Sequence, residues 1–186
     1  HLHRVRAESD LAANRLRENV KEGVYKALLA ACRGFVGHGP NQIDENVLQA
    51  VYDNALVLLY RLLFILYAEA ADLLPLRTNR QYASRYSLQA IAQELGDGVE
   101  SFSPTRVTMW PRLRELFVAI DKGDAELGIP AYNGGLFDGE KHPFLETMEL
   151  PDRYVARLVD LMARTDDGGT VDYRDLGVRH LGSIYE

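Results

Sequence analysis

Residues 45–74 read ENVLQAVYDNALVLLYRLLFILYAEAADLL, and their reading decides the fold. Every residue from Asn46 to Leu74 is a tolerable or good helix former, and no glycine or proline intervenes before Pro75. The stretch is predicted to form one rod, roughly 45 Å long at about 1.5 Å rise per residue. From Ala55 to Ala68 it is apolar except for Arg61. A helix apolar nearly all round must be wrapped by other helices or by lipid. A membrane span needs about 20 mostly apolar residues, and the runs on either side of Arg61 are far shorter. The rod therefore reads as the buried axis of a soluble helical domain, with no membrane partner.

Outward from this axis, 186 residues suffice for one domain with an ordinary core. The net charge of −6 repels nucleic acid from the molecule as a whole, so any binding to DNA needs a local basic patch. A single cysteine, Cys32, excludes an internal disulfide and leaves the redox compartment open, with a cytoplasmic setting as the expectation. The amino end, HLHRVRAESD, contains no apolar stretch of the signal-peptide kind. Both ends are expected to continue into a longer chain.

The first helix is predicted from about Ser9 or Asp10 to Phe35, with Leu16, Val20, Val24, Ala27, Leu28, Ala31 and Phe35 on one face. Gly34, Gly37, Gly39 and Pro40 then read as a loop, with Asp44 as N-cap of the axial helix and Ile43 placed to staple onto Leu48. Ser87 caps a short helix carrying Leu88, Ile91, Ala92 and Leu95, ended by Gly96. Thr108 is the expected cap of the next helix, with Pro111 in its first turn, Leu113, Leu116, Phe117 and Ile120 as its stripe and Gly123 at its close. Segment 127–150 is expected to be irregular, with room for a small hairpin at Asn133-Gly134. Helices from Asp152 to Arg164 and from Val178 onward complete the chain. The expected class is all-α: an irregular helical bundle around one long central helix, a single domain over 1–186. Within it, 1–40 holds the first helix and loop, 44–126 the central core, 127–150 the irregular loop and 151–186 the last helices.

Three groups of residues invite a chemical reading. Arg61 has Val57, Leu58, Phe64 and Ile65 at helical neighbour positions, so no acid on its own helix neutralises it. It must snorkel to solvent or meet an acid from another element; a structural ion pair, with an acid within hydrogen-bonding reach, is the expectation, and a ligand-contacting arginine is the alternative. Glu69 and Asp72 stand in the last turns of the axial helix, where the dipole disfavours anions. They call for a cation, Arg77 or Arg80 folding back, or for a solvated helix end. Arg77, Arg80 and Arg85, interleaved with Tyr82 and Tyr86, have the composition of a DNA-contacting surface: forked donors for phosphates, aromatic faces for bases. Solvation, or pairing with the protein's own acids, is the alternative. The histidines lack metal-ligand spacing, and no nucleotide cradle or hydrolase elbow occurs, so neither a metal site nor catalytic residues are assigned.

Three stretches together resemble a known family: LLYRLLFILYAEAADLLP, then AYNGGLFD with PFL, then VDYRDLGVRHLGSIYE. They are similar to the helical region ahead of the methyltransferase domain in large adenine-specific DNA methyltransferases, the type IIG restriction–modification enzymes and PglX-like phage-defence proteins. The resemblance runs from about Val51 to the end and is most specific at Asp172–Glu186, where Leu181, Gly182, Tyr185 and Glu186 match the family's junction with the catalytic domain. Ala71 stands where relatives often carry arginine. Asn133, Gly134 and Gly135 read as a tight turn needing positive φ, with Leu136 and Phe137 plugging the core. The resemblance implies a parent enzyme that uses S-adenosylmethionine to methylate adenine in double-stranded DNA. The glycine-rich cofactor motif and the Asn/Asp-Pro-Pro-Tyr/Phe loop for a flipped adenine are missing from this sequence. The expected role is a non-catalytic helical spacer beside the DNA cleft. The alternative is a helical protein–protein adaptor that never contacts DNA.

Overall fold

The axial helix is shorter than expected, and one residue accounts for it. In the computed structural model, which describes residues 2–165 and 167–176 apart from the side chains of residues 13, 16 and 97, a 3-10 turn at Glu45–Val47 leads into helix α2, Leu48–Ala70. Asp72 then adopts left-handed backbone, φ 58°. The Leu73 N–H turns back to the Ala68 carbonyl and the Ala71 N–H to the Tyr67 carbonyl, each at 2.8 Å. This closes the last turn in the Schellman manner, with aspartate in the place glycine usually takes. The helix has 23 residues, about 35 Å, and stops short of Leu74. At its start Asp44 caps as expected, accepting the Asn46 N–H at 2.8 Å. Leu48 is exposed, so the expected staple does not cover it.

The fold is all-α, with no strand among the described residues. Helix α1 spans Leu2–Gly37, α3 Leu88–Glu94, α4 Met109–Lys122, α5 Pro143–Thr147 and α6 Asp152–Ala163. Glu45–Ala70 is long and apolar enough to cross a membrane by length and composition. Within the protein it is enveloped instead: α1, α5 and α6 pack on α2, and no residue from Ala55 to Ala70 is exposed.

Helix α1 begins earlier than expected and continues through Gly34. That glycine serves packing rather than a break: a Cβ there would lie 2.5 Å from Leu150 Cδ1 and 2.7 Å from the Tyr154 ring. Three turns earlier on nearly the same face, a Cβ on Gly23 would meet the Leu161 carbonyl oxygen at 2.4 Å. The two glycines let α1 approach α6 at backbone range, and Val20, Ala27, Ala31 and Phe35 are buried along this side. Leu16, expected on the same face, has its side chain outside the described residues.

Where α1 ends, buried Asn41 ties it to the chain ahead of α6. Its Nδ2 donates to the carbonyls of Phe35 (2.9 Å) and Glu149 (2.8 Å), and its Oδ1 accepts the Glu149 N–H (2.8 Å). Helix α4 is capped from a distance. Asp152 accepts the N–H groups of Thr108 and Met109 (2.7 and 2.8 Å) and the Thr108 hydroxyl (2.6 Å), so Thr108 is positioned by the cap and does not itself supply it. Ser87 caps α3 as expected, accepting the Ala90 N–H, but that helix passes into a 3-10 turn, Leu95–Asp97, and Gly98 at φ 85° turns the chain in place of Gly96.

The hairpin expected at Asn133-Gly134 is absent. The pairing lies earlier, where Asp124 and Ile129 exchange two backbone hydrogen bonds across a turn, and Pro143–Thr147 of the segment expected to be irregular is helical. After α6, Arg164 and Thr170 bridge and a 3-10 turn, Tyr173–Leu176, closes the described chain. The expected helix from Val178, with His180, Leu181, Gly182, Tyr185 and Glu186, lies outside the described residues.

Candidate functional site

The Arg77–Tyr86 segment is built by helix ends rather than by a free loop. Asn79 Oδ1 accepts the Tyr82 N–H at 2.9 Å, and Tyr82–Tyr86 forms a single π-helical turn ahead of α3. This turn rotates Tyr82 fully inward, to 0 % exposure. Burial pushes its phenol well above the ordinary value, with the Glu69 carboxyl adding to the effect. Tyr82 therefore offers no face to a base. Tyr86 is half-buried and its hydroxyl donates to Glu115 Oε2 at 3.1 Å, while Arg85 reaches the same oxygen at 3.3 Å and sits 5.3 Å over the Tyr86 ring. Arg77 pairs with Asp72 at 3.4 Å, the cation expected for that residue. Arg80 is exposed and makes no ion pair among the described residues. The sequence shows no acid within this stretch; the acids come from α4 and from the end of α2. Such exposed pairs hold by about 0–1 kcal/mol, so Arg77 and Arg85 remain free to exchange onto a phosphate.

Arg61 is a correction. It is fully buried, and among the described residues no carboxylate lies within ion-pair distance of it. Its Nε donates to the Leu136 carbonyl at 2.7 Å. Its guanidinium lies 4.8 Å from the Phe117 ring centroid and 5.6 Å from that of Phe137. Aromatic faces and a carbonyl do what a carboxylate was expected to do, since ring quadrupoles attract a desolvated cation. Burial lowers its pKa to about 10 against the more distant pull of Glu146, Asp121 and Asp138. The turn that presents Leu136 is the expected one. Asn133 (φ 49°) and Gly135 (φ 84°) take left-handed backbone, and Phe137 is buried beyond them. A Cβ on Gly135 would also lie 3.2 Å from Lys141 Nζ. Burial, followed by the Arg61 cation, lowers the neighbouring His142 imidazole below its ordinary value.

Glu69 is a second correction. Among the described residues no cation meets it; it lies inside the protein at 2 % exposure. Its Oε1 accepts the N–H of Leu88 at 2.9 Å and of Gln89 at 3.5 Å, so it closes the start of α3. Burial outweighs these hydrogen bonds and pushes the carboxyl up to about 8. It forms part of the wall of a cleft of about 290 Å³, with Leu66, Ala70, Leu88, Ala163 and Tyr173. A larger cleft, about 380 Å³, opens at the surface beside the α1–α6 contact, with Lys26 and Asp160 in its lining. The charged groups of the larger cleft are paired along their own helices, Lys26 with Glu22 at 3.2 Å and Arg164 with Asp160 at 3.4 Å. Glu69, the acid on the wall of the smaller cleft, is already committed to the backbone N–H groups of Leu88 and Gln89, so it does not supply a free carboxylate to a ligand such as S-adenosylmethionine.

Among the described residues no three histidine, cysteine or carboxylate groups gather where a metal ion would be held. His38 Nε2 lies 3.2 Å from Glu149 Oε2. The features that sequence reasoning missed are the remote caps, Asp152 on α4 and Glu69 on α3. Their only sequence signal is an acid placed where its own helix gives it no cation. Comparison with protein-family models, with curated proteins and with solved structures finds no match for this chain.

Proposed function

We propose that this chain is a non-catalytic helical connector of an adenine-specific DNA methyltransferase of the restriction–modification or phage-defence type. One observation supports the reading beyond the sequence resemblance. Tyr173, in the stretch most specific to that resemblance, is 1 % exposed and its hydroxyl donates to the Met162 carbonyl of α6. The 3-10 turn Tyr173–Leu176 contacts both α1 and α2. So firmly seated a turn holds the last described element in a fixed orientation against α1 and α2, as a spacer needs and a slack linker lacks. The catalytic work, and S-adenosylmethionine with it, belongs to the parent enzyme beyond these residues.

The test is methyl transfer to adenine in duplex DNA by the protein encoded by the whole gene, with labelled S-adenosylmethionine, beside the same assay on residues 1–186. Activity in the first and none in the second is expected. A reading frame that stops at Glu186, or a longer product that leaves adenine unmodified, overturns the proposal. The adaptor reading is favoured by one feature, the engagement of Arg77, Arg85 and Tyr86 by the protein's own acids. Affinity for duplex DNA that falls steeply with salt supports the connector beside a DNA cleft; no salt-sensitive affinity supports the adaptor.

A further inference from the structure

We propose that α1 pairs with α1 of a second copy, antiparallel, through residues 2–19. The proposal does not depend on the functional reading above. The face of α1 that buries Val20, Ala27 and Ala31 does not end where the body ends. At about 100° per residue, Leu2, Val5, Ser9 and Ala12 continue the same side of the helix. All four are exposed, Leu2 at 82 %. A helical extension of this length is marginal in water without tertiary cover, and this one carries its core-facing pattern past the core.

The charges and the pattern select the second copy and fix the register. With Leu2, Ser9 and position 16 as one set of seam positions and Val5, Ala12 and Asn19 as the other, antiparallel layers form wherever the two residue numbers sum to 21. Ser9 then meets the partner's Ala12, Val5 falls opposite the register position of the partner's Leu16, and Leu2 falls opposite the partner's Asn19. The small residues Ser9 and Ala12 at the centre let the two backbones come close. In this register Glu8 flanks the same two layers as the partner's Arg15, and Arg15 flanks those of the partner's Glu8. Two opposite-charge pairs form by symmetry at positions that set orientation in coiled coils. Glu8 and Arg15 are both exposed, and among the described residues Glu8 is engaged only by Arg4 on its own helix, 3.4 Å away at the surface. Leu2 reaches the level of the partner's Asn19, at the rim of the cleft beside α6, and the two bodies lie at opposite ends of the paired segment.

Layers with a small-residue centre make a weak interface, with a dissociation constant on the order of 100 µM. Sedimentation velocity on residues 1–186, at concentrations either side of that value, is expected to show a monomer–dimer equilibrium. Glu8→Arg and Arg15→Glu are each expected to raise the dissociation constant about tenfold, two attractive pairs becoming two repulsive ones. The double variant Glu8→Arg/Arg15→Glu is expected to restore it. Circular dichroism guards against simple fraying of α1. The double variant also retains any fraying caused by a second arginine beside Arg4 on the same helix, while recovering the dimer. A monomer at every concentration, or a dimer indifferent to the charge reversals, overturns the proposal.

Discussion

Replacing Glu69 with glutamine isolates one buried titration. The carboxyl is held at about 8 against an ordinary value of 4.5, with burial as the leading cause. A carboxyl whose folded pKa is raised binds its proton more tightly in the folded state. It stabilises the fold fully below the unfolded value, and that contribution is lost as pH rises through the folded value. The window is therefore pH 4.5 to 8, and within it each pH unit removes up to about 1.4 kcal/mol. Glu69→Gln keeps a carbonyl oxygen for the Leu88 and Gln89 N–H groups but cannot ionise. Urea unfolding of both proteins at a series of pH values gives the difference in their stabilities, from which the other titrating groups cancel. That difference should move in favour of glutamine by about 3 to 4 kcal/mol between roughly pH 5 and pH 8. A difference that does not change with pH would show that Glu69 ionises normally in the folded protein, and the argument from its burial would fail.

The packing makes three further outcomes testable. Gly23→Ala places a methyl against the Leu161 carbonyl oxygen and should cost about 2 kcal/mol or more, while Gly34→Ala meets side chains that can move and should cost less. Gly37→Ala meets nothing within 4 Å and serves as control, all three read by thermal melting. Arg61→Met should leave stability within about 1 kcal/mol of the parent, since ring faces and one carbonyl are the cation's nearest partners, whereas Arg61→Ala leaves a cavity costing about 3 kcal/mol. Equal losses in urea unfolding would mean the guanidinium itself is required. Asp152→Ala strips three donors of their acceptor and should cost about 3 kcal/mol, with Asp152→Asn intermediate, by the same measurement.

Legible in the chain is what neighbours in sequence decide. The Ser87 cap, the Asp44 cap and the Leu113–Ile120 stripe depend on residues within a turn or two, and all three are present. The positive-φ turn at Asn133 and Gly135 is legible because few residues tolerate that backbone. The hidden features depend on elements distant in the chain. Glu69 and Asp152 read as acids with no local role because the N–H groups they accept lie 19 and 43 or 44 residues away. Arg61 invites a carboxylate because sequence ranks partners by charge, and it does not show two phenylalanine rings converging on one guanidinium. Gly34 looks like a break because its value lies beside α6, more than a hundred residues later. Asp72 ends α2 early through a backbone conformation that its side chain merely permits. Of the Arg77–Tyr86 group, composition supplies the residues but not the turn that carries Tyr82 into the core.

The close seating of α1 on α6 also sets the order in which the protein can be made. The two helices are about 125 residues apart, so a ribosome working at roughly 5–20 residues per second delivers α6 some 6–25 s after α1 has emerged. Throughout that interval the side of α1 bearing Ala27, Ala31 and Phe35 has no mate from α6. A nascent polypeptide in that condition is a client for chaperones that wait at the ribosome. Its final closure awaits the last of the helices described here rather than the greasy axis that dominates its sequence.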